Sequence, residues 1–129
     1  MNSFSFSLRP PPGHPLQARG VARLEEKALV LSWTRETQFF PRQPETRERV
    51  LPIGEIARGE FHAGWWSDAF RLFVHRAEAV RDIPGRHPDG GLHLKVARDQ
   101  REAARRVASM LALKISEHRL AQIRDPLES

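Results

Sequence analysis

Arg58-Gly59-Glu60-Phe61-His62-Ala63-Gly64-Trp65-Trp66-Ser67-Asp68-Ala69-Phe70-Arg71-Leu72-Phe73-Val74-His75-Arg76 decides the fold of this chain. Place a tight turn at Ser67-Asp68 and the facing pairs become Trp65/Phe70, Ala63/Leu72 and Phe61/Val74, all apolar. The opposite face then carries Trp66/Ala69, Gly64/Arg71, His62/Phe73 and Glu60/His75. Side chains on a strand alternate between its faces, so a one-residue slip would turn Phe61 and Trp65 to solvent. The clean split predicts an antiparallel hairpin with one buried face. Gly64 has no Cβ and permits a bend there. Ser-Asp is not a favoured two-residue turn, which leaves a wider loop open.

Upstream, Arg19–Leu24 and Ala28–Thr34 read as the arms of another hairpin, with Glu25-Glu26-Lys27 as its polar turn. Residues 35–46 carry Pro41 and Pro44 and read as a loop before a short strand, Arg47–Leu51. Leu51-Pro52-Ile53-Gly54-Glu55-Ile56 marks a break between strands. At the start, Phe4, Phe6 and Leu8 alternate with serines, a strand signal. Pro10-Pro11-Pro12, Gly13 and Pro15 follow, so residues 1–17 are expected as a flexible or edge-strand segment. A single domain is expected over 18–125.

Downstream, Ala77–Ile83 is a further strand or a short turn with Val80 and Ile83 inward. Pro84-Gly85 and Pro88-Asp89-Gly90-Gly91 are turn signals. Leu92-His93-Leu94-Lys95-Val96 alternates strictly and reads as the last strand. Asp99-Gln100-Arg101-Glu102 has the form of a capping box opening a helix. Ala104, Val107, Ala108, Leu111 and Ile115 recur at spacings of three and four, one apolar stripe that needs a sheet beneath it. The helix should reach Arg119 or Ile123, with Pro126 ending it. The fold class is therefore α+β, a bent antiparallel sheet or partly open barrel capped by one C-terminal helix.

This order of elements resembles the pleckstrin-homology-like superfamily in its compact bacterial form. The resemblance rests on the hairpin Gly20–Thr34, the segment Leu51–Ile56, and the hairpin Ala57–His75 with Gly64-Trp65-Trp66 near its tip. It ends on Gly91–Val96 leading into Asp99-Gln100-Arg101-Glu102-Ala103, and covers roughly residues 18–120. It implies a strongly bent β-barrel closed at one end by the helix. It also implies binding or scaffolding rather than catalysis, since many members bind proteins. Some bind phosphoinositide headgroups through basic residues of the first hairpin. Here Glu25 and Glu26 sit beside Arg23 and Lys27 and would repel a polyphosphate, which disfavours that ligand.

Composition bounds the remaining functions. The chain has 129 residues, 40% hydrophobic and 29% charged, which suits a soluble globular class. No apolar run approaches the ~20 residues that span a bilayer. The start lacks a basic stretch before an apolar core and does not read as a signal peptide, so a cytoplasmic location is the default. Cysteine is absent, which removes disulfides and thiol chemistry. The formal charge is +5, carried mostly by arginine rather than by Lys27, Lys95 and Lys114. Acidic residues interrupt the basic ones throughout, so no polybasic block exists.

Glu60, His62 and His75 are the nearest thing to a metal set, but they read as ordinary surface groups on strands. Ser67 lacks a nucleophile-elbow context and Asp68 reads as a turn former, so no enzyme is expected. Glycines 85, 90 and 91 precede no helix directly and no Gly-Lys-Ser follows, which excludes a phosphate loop. No cofactor is expected. Two surfaces remain. Trp66, Phe73 and Arg71 share the outward face of the hairpin, where the chain's own loops, a protein partner or a second copy would cover them, or where they stay in solvent or meet another ligand. Arg98, Arg101 and Arg105 share a face at the helix start, an alternative contact for anionic ligands such as nucleic acid or a lipid headgroup. Asp99 and Glu102 lie among them and disfavour nucleic acid. The expectation is a non-catalytic binding or scaffold domain that mediates protein contact or self-association.

Overall fold

A computed structural model describes residues 2–8, 18–36, 44–81, 83 and 91–128. The proline-rich stretch 9–17, most of the expected 35–46 loop and the turn signals at Pro84–Gly90 lie outside the described residues.

The strands are β1 (Ser3–Leu8), β2 (Ala18–Leu24), β3 (Ala28–Glu36), β4 (Pro44–Pro52), β5 (Ile56–His62), β6 (Asp68–Val74) and β7 (Leu92–Val96). The helix α1 (Arg101–Glu128) follows them. The strands form one antiparallel sheet in the order β4-β3-β2-β1-β7-β6-β5. Two meanders thus meet along β1. The serine-alternating segment is not an edge strand but the middle of the sheet, because Phe4, Phe6 and Leu8 are all needed inside and are fully buried. Along β1, Ser7 stands opposite Lys95 of β7, while the Ser5 N–H donates to the Gln100 side chain at 2.9 Å. That side chain satisfies a backbone donor in the middle of the sheet.

The sheet is not closed into a barrel, which corrects the expectation of a β-barrel. Between β4 and β5 the chain makes a single 3-10 turn, Ile53–Glu55, closed by the Ile56 N–H on the Ile53 carbonyl and tied to other elements at both ends. The Ile53 N–H donates to the Lys27 carbonyl in the β2–β3 turn, and Glu55 accepts from the His75 N–H beyond β6. With the linker tied down at both sides, β4 and β5 remain the outer strands of an open sheet.

The helix covers the inner face. Ala104, Val107 and Leu111 are fully buried and Ile115 nearly so, packed with Phe70, Leu72, Leu92, Leu94 and Val96. Trp33, Leu29 and Leu31 carry the core across to the β2–β4 half. Val80 and Ile83 point inward as expected, from a 3-10 turn at Ala77–Val80 rather than a strand. Gly59 lies where the helix packs close on β5. A Cβ there would stand 2.6 Å from Leu111 Cδ2 and 3.0 Å from the Phe70 ring.

Two details of the helix differ from expectation. Asp99 is not at a cap position: the helical turns begin earlier, with Arg98–Gln100 a 3-10 turn whose N-cap is Ala97, without a side-chain cap, and Asp99 is exposed inside it. Tertiary contacts from Gln100 and Arg101 fix the helix start instead. Pro126 does not end the helix, which continues to Glu128. A proline that close to the terminus forfeits only one N–H bond in the last turn.

Candidate functional site

The decisive hairpin pairs Phe61 with Phe70, Gly59 with Leu72 and His62 with Ala69. Relative to a two-residue turn, β6 is displaced by four residues against β5. An even displacement keeps the residues that stay paired on their expected faces, so Phe70 and Leu72 are buried and Phe61 packs against the core, whereas Ala63 and Trp65 leave the ladder. The displacement releases Ala63-Gly64-Trp65-Trp66-Ser67 from the ladder as the loop between β5 and β6. Trp65, expected as an inward residue paired with Phe70, is instead 89% exposed, and Trp66 is 94% exposed. Among the described residues, no loop covers either indole.

What holds this loop is Asp68. Its carboxylate is buried, and Arg101 of the helix donates to both oxygens, Nε to Oδ2 at 2.9 Å and Nη2 to Oδ1 at 3.2 Å. Oδ1 also accepts the Gly64 N–H at 3.3 Å. The Arg101 guanidinium holds the Asp68 carboxyl below the usual carboxylate range, against an opposing effect of burial, with help from the Gly64 N–H and from Arg98. The same pairing raises Arg101. A second clamp comes from Arg98, whose Nη2 donates to the Trp65 carbonyl at 3.0 Å. Gly64 admits no side chain, because a Cβ would collide with the Ser67 carbonyl. The loop backbone is therefore fixed while its indoles stand free.

The surface formed by Trp66, Phe73 and Arg71 does not assemble as expected. Phe73 pairs with Arg58 near the far end of the hairpin, with the Arg58 guanidinium 4.1 Å from its ring centre. Arg71 lies mid-strand opposite Glu60 and His93, half-buried, its Nε without a hydrogen-bond partner. The wider loop moved Trp66 to the tip and left the other two on the sheet face. Trp65, not Phe73, is its neighbour. The one available signal was the poor turn chemistry of Ser-Asp.

Arg98, Arg101 and Arg105 do come together, beside this loop, though not as a free basic stripe. Arg101 is taken by Asp68. Arg105 lies 5.2 Å over the Phe61 ring and 3.6 Å from Glu102. Sequence reasoning missed that the arginines and the tryptophans form one site, because thirty-three residues separate Asp68 from Arg101.

Glu60 bonds His62 at 3.0 Å and Arg58 at 2.9 Å on the outer face. The His62 bond, opposed by burial and aided by Arg58 and Arg71, lowers the Glu60 carboxyl. His75 does not join them: the register puts it beyond Val74, at the other end of the hairpin from His62. Among the described residues no three histidine or acidic side chains are grouped to hold a metal ion. Nor, among them, is any helix long and apolar enough to cross a membrane. No family model, curated protein or solved structure matches the chain.

Proposed function

We propose that this chain is a non-catalytic binding domain that engages its partner through the Trp65–Trp66 loop. One observation carries the reading: two adjacent indoles are almost wholly in water on a loop whose backbone is bonded to the helix. Exposing two large aromatic side chains costs apolar surface, and nothing in the packing of the described residues requires it. Tryptophan is among the side chains most enriched at the centres of interfaces, and a preorganised loop loses little entropy when it docks. The antiparallel strands followed by a C-terminal helix are the part of the pleckstrin-homology-like plan that this chain shares, while its sheet stays open where that plan closes a barrel.

Photocrosslinking tests this whatever the partner is. Trp66 is replaced by p-benzoylphenylalanine in the full chain, and producing cells are irradiated. Adducts are expected from position 66 and not from the exposed position Glu117 on the helix. Equal yields from the two positions would remove the case for a binding tip.

A further inference from the structure

We propose that the β5–β6 loop docks on the interface of an anionic lipid bilayer, with both indoles in the headgroup layer and neighbouring cations against lipid phosphates. This rests on the loop being a binding tip and names its partner.

The loop is uncharged from Ala63 to Ser67. The first acid after it, Asp68, is buried and neutralised by Arg101. Entering a lipid headgroup layer therefore strands no carboxylate. Behind the apex stand exposed cations. Arg98 is bonded to the loop itself, Lys95 lies opposite Ala69 next to Asp68, and Arg105 covers Phe61 at the base of the loop. Arg106 is exposed one residue further along the helix. Asp99 and Glu102 are exposed among them, with Glu102 3.6 Å from Arg105, and Glu60 next to Phe61 is paired with Arg58 at 2.9 Å, which leaves Arg98, Lys95 and Arg106 in excess over the one unpaired carboxylate. An uncharged aromatic apex with a basic collar matches an anionic bilayer layer by layer. Indole rings favour the depth where one edge is apolar and the N–H meets polar groups. Lysine and arginine just behind them meet the negative surface potential.

A bilayer fits better than a protein groove. Trp65 and Trp66 are consecutive, and with exposures of 89% and 94% neither shields the other. A rigid groove approached from one side covers one such side chain well and the other poorly. A fluid layer surrounds both. The loop also projects beyond the last ladder pair of its hairpin, so it offers an apex rather than a flat patch.

The test uses the full chain with vesicles of pure phosphatidylcholine and vesicles carrying about one third phosphatidylglycerol. Sedimentation measures partitioning, and tryptophan emission measures insertion. Trp33 is buried and gives a constant background, so any shift reports the loop. Binding to the anionic vesicles, a blue shift and quenching by brominated lipid are expected. Binding should weaken as salt rises and fall at least about tenfold in the Trp65→Ala, Trp66→Ala double variant. An Arg98→Gln, Arg105→Gln variant should lose the preference for anionic vesicles while keeping its fold, checked by far-ultraviolet circular dichroism and a cooperative melting transition. No binding, binding without a shift, or binding indifferent to the double variant would overturn the proposal. Protein adducts from position 66 with no vesicle binding would leave the binding tip standing and remove the bilayer as its partner.

Discussion

Asp68 shows how one side chain organises the candidate site. It is buried, it accepts three hydrogen bonds from Arg101 and Gly64, and it sits where β6 begins. Asp68→Asn keeps the shape and removes the charge. The thermal midpoint at neutral pH should fall by several degrees, measured by circular dichroism. The pH dependence has a definite sign. The folded-state pKa of Asp68 is depressed, so its contribution is present above the ordinary carboxylate pKa and is lost as pH falls through the lowered folded value. Wild type and Asp68→Asn should therefore differ at neutral pH and converge in strong acid. The indoles have the opposite character. Trp65→Ala and Trp66→Ala should each change unfolding free energy by less than about 0.5 kcal/mol in denaturant titrations, because both side chains stand in water. Acrylamide should quench two of the three tryptophans and spare Trp33.

Among the elements, the helix packs most extensively on β5. Leu111 is fully buried over Gly59, and Leu111→Ala should cost about 3 kcal/mol in urea unfolding by leaving a cavity. Gly59→Ala acts by the reverse route. The added methyl meets Leu111 and Phe70 and pushes the helix off the sheet, at a cost of about 2 kcal/mol in the same measurement. The stripe of Val107, Leu111 and Ile115 is legible in the sequence, since helical spacing alone puts those residues on one face. The role of Gly59 is not legible, because nothing local to it records which helix residue will lie above. The hairpin is an intermediate case. Its alternation gave the buried face of β6 correctly, while the true register depended on β7, on the helix and on Asp68 reaching Arg101.

At the scale of the molecule, β1 joins two meanders that would otherwise be separate sheets. Removing residues 1–8 should therefore abolish cooperative unfolding rather than trim a tail, and would expose the hydrogen-bonding edges of β2 and β7 and empty the core of Phe4, Phe6 and Leu8. Loss of near-ultraviolet circular dichroism in the truncated chain checks this, and a native-like melting transition would contradict it. The same long-range closure creates the site: β6 and the helix start meet at the loop only once β7 is paired between β6 and β1.

Strand and helix alternation, a property of neighbours along the chain, was sufficient for most of the elements, for the inward faces of β6, β7 and the helix, and for an α+β sheet capped by a terminal helix. Pairing across long separations was not, because it is set by which of several apolar faces bury the most surface together. Only the folded molecule placed Ser3–Leu8 at the centre, left the sheet open, denied Asp99 its cap, and put both tryptophans in water beside the arginines of the helix.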